Sequence, residues 1–115
     1  NEKLFNSDII ILTNDQLDII SKHNIKVKCL INQRSFQEME WEFVDEYLDF
    51  FTKKEVDSIH LWQMEDGHPL VEEDKRTTVK KIENKLNDKY SSKRLFEFSR
   101  FDHDFSYYSF ECIKK

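Results

Sequence analysis

The alternation of hydrophobic and polar residues along the chain predicts five β-strands. Residues 9–12 are a continuous apolar run of strand length, which is typical of a strand covered on both faces. In residues 25–31, Val27, Cys29 and Ile31 alternate with Lys26 and Lys28, the period-two pattern of a strand with one wetter face. The predicted strands are residues 7–13, 25–31, 56–64, 95–101 and 105–113.

Three segments have the spacing of amphipathic helices, namely about residues 14–23, 36–52 and 70–90. The second is the best defined, because Ser35 is a good N-cap residue and Glu38 completes a capping box. The resulting order is β-α-β-α-β-α-β-β, ending in an antiparallel hairpin. We therefore predict an α/β (α+β) fold in which helices cover a mixed sheet, with residues 1–115 forming a single domain.

The helix over residues 36–52 is predicted to have one buried and one exposed face. At about 100° per residue, one wide arc collects its apolar side chains. These are Phe36, Met39, Phe43, Val44, Tyr47, Phe50 and Phe51. The opposite arc holds Glu38, Trp41, Glu42, Asp45 and Asp49. An exposed Trp among carboxylates is typical of a binding surface, because Trp is favoured as an anchor at protein interfaces. The alternative is that another loop or an edge strand covers Trp41, since aromatic side chains are commonly buried.

The amino-acid composition excludes some classes of binding site and favours one cellular location. Gly67 and Pro69 are the only Gly and Pro, and Ala is absent, so a glycine-rich phosphate loop is excluded. Cys29 and Cys112 lie in apolar contexts without CxxC spacing, which favours buried, unpaired thiols and a cytoplasmic location. No apolar run is long enough for a membrane helix, and no signal peptide is evident at the start of the sequence.

Charge is strongly segregated, although the net charge is only −5. Residues 35–74 contain thirteen acidic residues and two lysines, whereas the flanking segments are neutral or basic. Acidic and basic segments can neutralise one another within a fold. A surface left acidic after that pairing would attract a cationic partner.

Other functions are less well supported by the sequence. The four histidines have no metal-binding spacing, so no metal or cofactor is expected. Asp102-His103-Asp104 could act as an acid-base group, but it also fits a polar hairpin turn, and His60 fits an ordinary strand position. With no catalytic constellation, we do not expect an enzyme. The basic last third could contact nucleic acid, but the net acidic charge argues against it.

These features together resemble the small acidic immunity proteins that neutralise bacterial polymorphic and contact-dependent-inhibition toxins. The resemblance consists of the domain size, the acidic aromatic segment from Glu38 to Asp49, the missing catalytic motif and an Ala-free, Asn/Lys/Ile/Phe-rich composition. It implies a cytoplasmic inhibitor of a basic, nuclease-type toxin domain. A phage-type inhibitor of a host nucleic-acid enzyme is the alternative, because it would use the same electrostatics.

Overall fold

A computed structural model of the chain describes residues 11, 13–99 and 106–115. Four strands in these residues form one mixed sheet. The strands are β1 (Cys29–Gln33), β2 (Ser58–Met64), β3 (Tyr90–Ser99) and β4 (Ser106–Lys114), in the spatial order β1-β2-β4-β3. β1 runs parallel to β2, while β4 is antiparallel to both β2 and β3. The mixed sheet and the antiparallel hairpin at the end of the chain confirm the predicted α+β class.

The helices in the described part of the chain are α1 (Asp18–Lys22), α2 (Trp41–Lys53) and α3 (Val79–Leu86). From α1 onward, the order of elements follows the prediction. The first predicted strand, residues 7–13, falls mainly outside the described residues, and neither Ile11 nor Thr13 is in a strand. The predicted connection Asp102-His103-Asp104 also lies outside the described residues.

Helix α2 begins later than the sequence predicts. Residues Phe36–Glu38 form a separate 3₁₀ turn, and Ser35 makes no side-chain capping bond. Met39 and Glu40 are extended, with ψ angles of 148° and 146°, so the α-helix can begin only at Trp41. The predicted capping box was therefore wrong, since Glu38 belongs to the turn and not to the first turn of α2.

The later start also changes which face of α2 is buried. Counted from Trp41, Val44, Leu48 and Phe51 follow at i+3, i+7 and i+10, and all three are buried. Trp41 lies on this inward stripe and packs against the core, so its predicted position outside the buried arc was wrong. Phe43, predicted to be buried, is 49% exposed. Tyr47 and Phe50 are half-buried.

One core joins α2 and α3 to a single face of the sheet. The paired strand residues Ile59 and Cys112, and next to them Leu61 and Phe110, are buried against the helices. The helices contribute the inward stripe of α2 together with Val79, Ile82 and Leu86 of α3. Since these side chains are buried by both helices at once, the core fixes the position of α2 relative to α3.

Helix α3 is shorter than the predicted helix over residues 70–90. It starts where the Thr78 hydroxyl accepts a hydrogen bond from the backbone N–H of Lys81, at 3.1 Å. It ends before Tyr90, which instead pairs with Lys114 as the first residue of β3. The buried hydroxyl of Tyr90 donates to the carbonyl of Val56 at 2.7 Å, and this bond ties β3 to the segment after α2.

The cysteines are free, as expected, but only one is buried. Cys112 is buried in the core, and burial raises the pKa of its thiol to about 12, which keeps it neutral. Cys29 is exposed, as is Ile31, which is 66% exposed. The prediction for Cys29 was wrong because Leu30, and not its neighbours, packs against the core from the edge strand β1.

The orientation of α2 can be tested by two truncations. Leu48 is fully buried, so Leu48→Ala should lower the free energy of unfolding by about 2–5 kcal/mol. Phe43→Ala should cost about 1 kcal/mol or less, because half of that side chain already contacts water. Urea titration of both variants measures the difference. A larger loss for Phe43→Ala than for Leu48→Ala would show that α2 is turned the other way.

Candidate functional site

A buried polar cluster joins the turn before α2 to the loop after β2, and Trp41 lies next to both segments. Gln37, Gln63 and Thr77 are each at most 1% exposed. The side-chain carbonyl of Gln37 accepts a hydrogen bond from the backbone N–H of Met64 at 2.9 Å. The side-chain amide of Gln63 donates to the carbonyls of Thr77 at 2.9 Å and Met64 at 3.2 Å. These bonds attach the turn before α2 and the loop after β2 to the end of the sheet.

Further bonds place residue 40 beside residue 76. The Thr77 hydroxyl donates to the carbonyl of Met39 at 2.9 Å, and Glu40 forms an isolated antiparallel bridge with Arg76. Gly67 allows the loop to fold back onto residues 76 and 77, because a Cβ atom there would lie 2.8 Å from the carbonyl oxygen of Thr77 and the φ of Gly67 is +74°. The loop after β2 is therefore brought against the start of α2, where Trp41 lies.

The basic residues of that loop are used to stabilise the loop itself. The Arg76 guanidinium donates to the carbonyls of Val71 and Pro69 at 2.9 and 3.1 Å. The Lys81 ammonium donates to the carbonyls of Arg76 and Asp74 at 2.7 and 3.0 Å. The Lys75 ammonium pairs with Glu72 at 3.0 Å, a hydrogen bond that raises the pKa of Lys75.

The result is a shallow acidic pocket beside Trp41, with a volume of about 330 Å³. Glu40, Glu42 and Asp74 line it together with Trp41 and Lys75. Glu42 and Asp74 are exposed, and neither carboxylate has an ion-pair partner among the residues that the structure describes. Lys75 pairs with Glu72, and the charges of Glu40 and Asp74 also raise its pKa. Three lining carboxylates against one ammonium group still leave the pocket net negative next to an indole ring. We call it the Trp41 pocket.

The five residues predicted to bind a partner do not share one surface. Asp45 and Asp49 face α3, where their carboxylates lie 2.9 and 2.6 Å from the Lys85 ammonium. Hydrogen bonds to these two carboxylates raise the pKa of Lys85, and the bond to Lys85 lowers the pKa of Asp49. Glu38 and Glu42 are exposed, whereas Trp41 is half-buried. Of the predicted set, Trp41 and Glu42 line the Trp41 pocket.

Three residues that line the Trp41 pocket, Glu40, Asp74 and Lys75, were not predicted from the sequence. Asp74 is about thirty positions from Trp41 in the chain and reaches it only through the contacts of Thr77 and Arg76. Glu40 was counted only as part of the acidic segment, because the predicted helix ran through it. Hydrophobic periodicity could not predict these positions, because a long-range bridge between two loops brings the residues together.

His60, the other possible acid-base residue in the described part of the chain, has an ordinary structural role. The His60 ring lies 3.2 Å from the Ser58 hydroxyl and 3.9 Å from the Glu111 carboxylate on the sheet face opposite the helices. Within the described residues, no group of three or more His, Cys, Asp or Glu could hold a metal ion. In the same part of the chain, no helix is long and apolar enough to cross a membrane.

Several basic residues of the last third are engaged within the protein. The Arg94 guanidinium lies over the Tyr108 ring and forms hydrogen bonds of 3.2 and 3.3 Å with Glu83, which raise the pKa of Arg94. Lys114 lies 3.7 Å from Asp57, and the Lys115 ammonium donates to the carbonyl of Asn87 at 2.6 Å. These pairings leave fewer free cations for phosphate contacts.

Comparison of the chain with protein-family models, with curated proteins and with solved structures gave no match.

The polar cluster can be tested by an apolar replacement of similar length. Gln37→Met would leave the buried N–H of Met64 without its acceptor, so the free energy of unfolding should fall by about 1–3 kcal/mol. Gln33→Met is the matched control, because Gln33 is exposed on β1. Urea denaturation of both variants measures the effect. Equal and small losses would mean that the Gln37 bond does not hold the turn to the sheet.

Proposed function

We propose that this protein is a cytoplasmic immunity protein that binds and neutralises a cationic, nuclease-type toxin domain of a bacterial toxin system. The observation that supports the proposal is the Trp41 pocket, in which an aromatic ring lies among carboxylates without ion-pair partners in the described part of the chain. The proposed activity is binding alone, without catalysis, a cofactor or a metal ion.

The chemistry of the Trp41 pocket suits an Arg side chain of the toxin. A guanidinium stacks on an indole face and donates to carboxylates at the same time, and Glu42 and Asp74 offer such acceptors. Trp41 is supported from behind by the core, so it would be held ready for the contact. Glu38, on the neighbouring turn, would add to the field that attracts the partner.

Asp45 and Asp49 would contribute indirectly. Both are satisfied by Lys85, so a partner would have to displace that ammonium to use them. In the proposal they join α2 to α3 and thereby support the helix that carries Trp41 and Glu42. The partner contact is assigned to Glu38, Trp41, Glu42 and Asp74.

The proposal expects the gene directly upstream to encode a toxin domain. The test produces that gene product in a bacterial host with and without this chain. The wild-type chain should restore growth and bind the toxin domain. Glu42→Lys should slow association about tenfold or more at low salt and less at high salt, because steering is screened. Trp41→Ala should act mainly on dissociation and cost about 2–4 kcal/mol as an interface anchor.

Asp88→Lys is the matched control, because it makes the same charge change at an exposed residue beyond the end of α3. It should leave affinity and growth close to wild type. Equal effects of Glu42→Lys and Asp88→Lys would show that affinity depends only on the net charge of the protein. That result would contradict the assigned surface. Failure to restore growth or to bind would overturn the immunity function, and inhibition of a host nucleic-acid enzyme would favour the phage-type inhibitor.

A further inference from the structure

Helix α2 carries a second apolar stripe, here called the outer stripe, beside the stripe that is buried in the core. Phe43, Tyr47 and Phe50 are spaced i, i+4 and i+7, so they line one side of the helix. The inward stripe already buries Val44, Leu48 and Phe51. Tyr47 and Phe50 are half-buried against the core, but Phe43 is 49% exposed, so the outer stripe still presents aromatic surface to solvent.

The outer stripe forms one wall of a groove of about 320 Å³. Leu17, just before α1, and Met39, in the extended segment before α2, complete its apolar lining. Aromatic contacts hold parts of this lining in place, because the Tyr47 ring lies 6.0 Å from that of Phe36 and the Phe50 ring 5.1 Å from that of Phe51. Phe36 and Phe51 are both buried, so the groove rests on the core.

The charge beside this groove is negative. Among the described residues that line the groove, Glu46 is the one that carries a charge, and Glu42 lies one turn earlier on the same side of α2. Both are exposed, and neither has an ion-pair partner among the described residues. Lys85 is engaged with Asp45 and Asp49, and Lys22 pairs with Asp18, so these two ammonium groups do not pair with Glu46.

The groove and the Trp41 pocket are connected. Glu42 lines the Trp41 pocket and Glu46 lines the groove, and residues at i and i+4 are neighbours on a helix surface. The two carboxylates therefore form an acidic ridge with an aromatic site on each side.

We infer that the groove binds a cationic amphipathic helix of the protein partner. The helix would insert apolar side chains between Phe43, Phe50 and Leu17 and would set Lys or Arg against Glu42 and Glu46. This inference rests on the proposed function for the class of partner. A second copy of the chain fits less well, because apposing two such grooves would bring the same carboxylates together in a protein of net charge −5.

The groove can be tested without the partner, using two synthetic helical peptides and the full-length chain labelled with nitrogen-15. Both peptides carry the same stripe of Leu residues, which is flanked by Lys in one and by Glu in the other. The Lys-flanked peptide should shift the amide resonances of Leu17, Met39, Phe43, Glu46 and Phe50, and the shifts should saturate. The Glu-flanked peptide should leave them unchanged.

Phe43→Ser and Glu46→Lys should each weaken binding of the Lys-flanked peptide by about tenfold. Leu70→Ser is the control, since Leu70 is 89% exposed and lies away from the groove. Absence of shifts at the groove, or equal binding of both peptides, would overturn the inference. Contacts of the Phe43 ring with residues 1–10, or concentration-dependent shifts without peptide, would assign the groove to this chain or to a second copy and would also overturn it.

The outcomes separate this inference from the proposed function. If the peptide binds at the groove but the chain neutralises no toxin, the proposed function fails and the groove remains a binding site for cationic helices. If the chain neutralises the toxin through Trp41 but no peptide binds, only the groove inference fails.

Discussion

The hydrogen bond from the backbone N–H of Met64 to the side chain of Gln37 is the constraint on which the rest of the site depends. It fixes the turn before α2 at the end of β2, and Gln63 and Thr77 fix the loop after β2 at the same place. Buried polar groups are costly unless they are satisfied, so this cluster forms as a unit or not at all. Its geometry sets where α2 begins, and that start decides which side chains face the core.

The start of α2 also divides the acidic segment into two functional parts. Asp45 and Asp49 turn toward α3 and neutralise Lys85, which stabilises the packing of the two helices. Glu38, Glu42 and Glu46 remain exposed on the other sides. The same helix thus uses part of its charge within the fold and presents the remainder beside Trp41 and the outer aromatic stripe. The proposed binding surface depends on this division and not on the total charge.

The sequence predicted those parts of the fold that local patterns control. The pattern over residues 56–64 identified β2, and the helical spacing over residues 70–90 identified α3. It failed at Phe43 and Trp41, because a plausible capping box at Ser35 concealed the real start of the helix. It also failed at Asp74, because a bridge between loops brings that residue to the pocket. It failed at Cys29, because this residue lies on the exposed side of an edge strand.

Amide hydrogen exchange of the native protein tests the central claim most directly. The N–H groups of Met64 and Val79 bond to Gln37 and to the carbonyl of Glu65, which ties the turn and the loop to the sheet. If these segments form one cooperative unit with the sheet, both amides should exchange as slowly as those of Ile59 and Leu61 in the middle of β2. Fast exchange at Met64 and Val79, with slow exchange at Ile59 and Leu61, would show that the loop opens by itself. The Trp41 pocket would then not be held in place by the polar cluster.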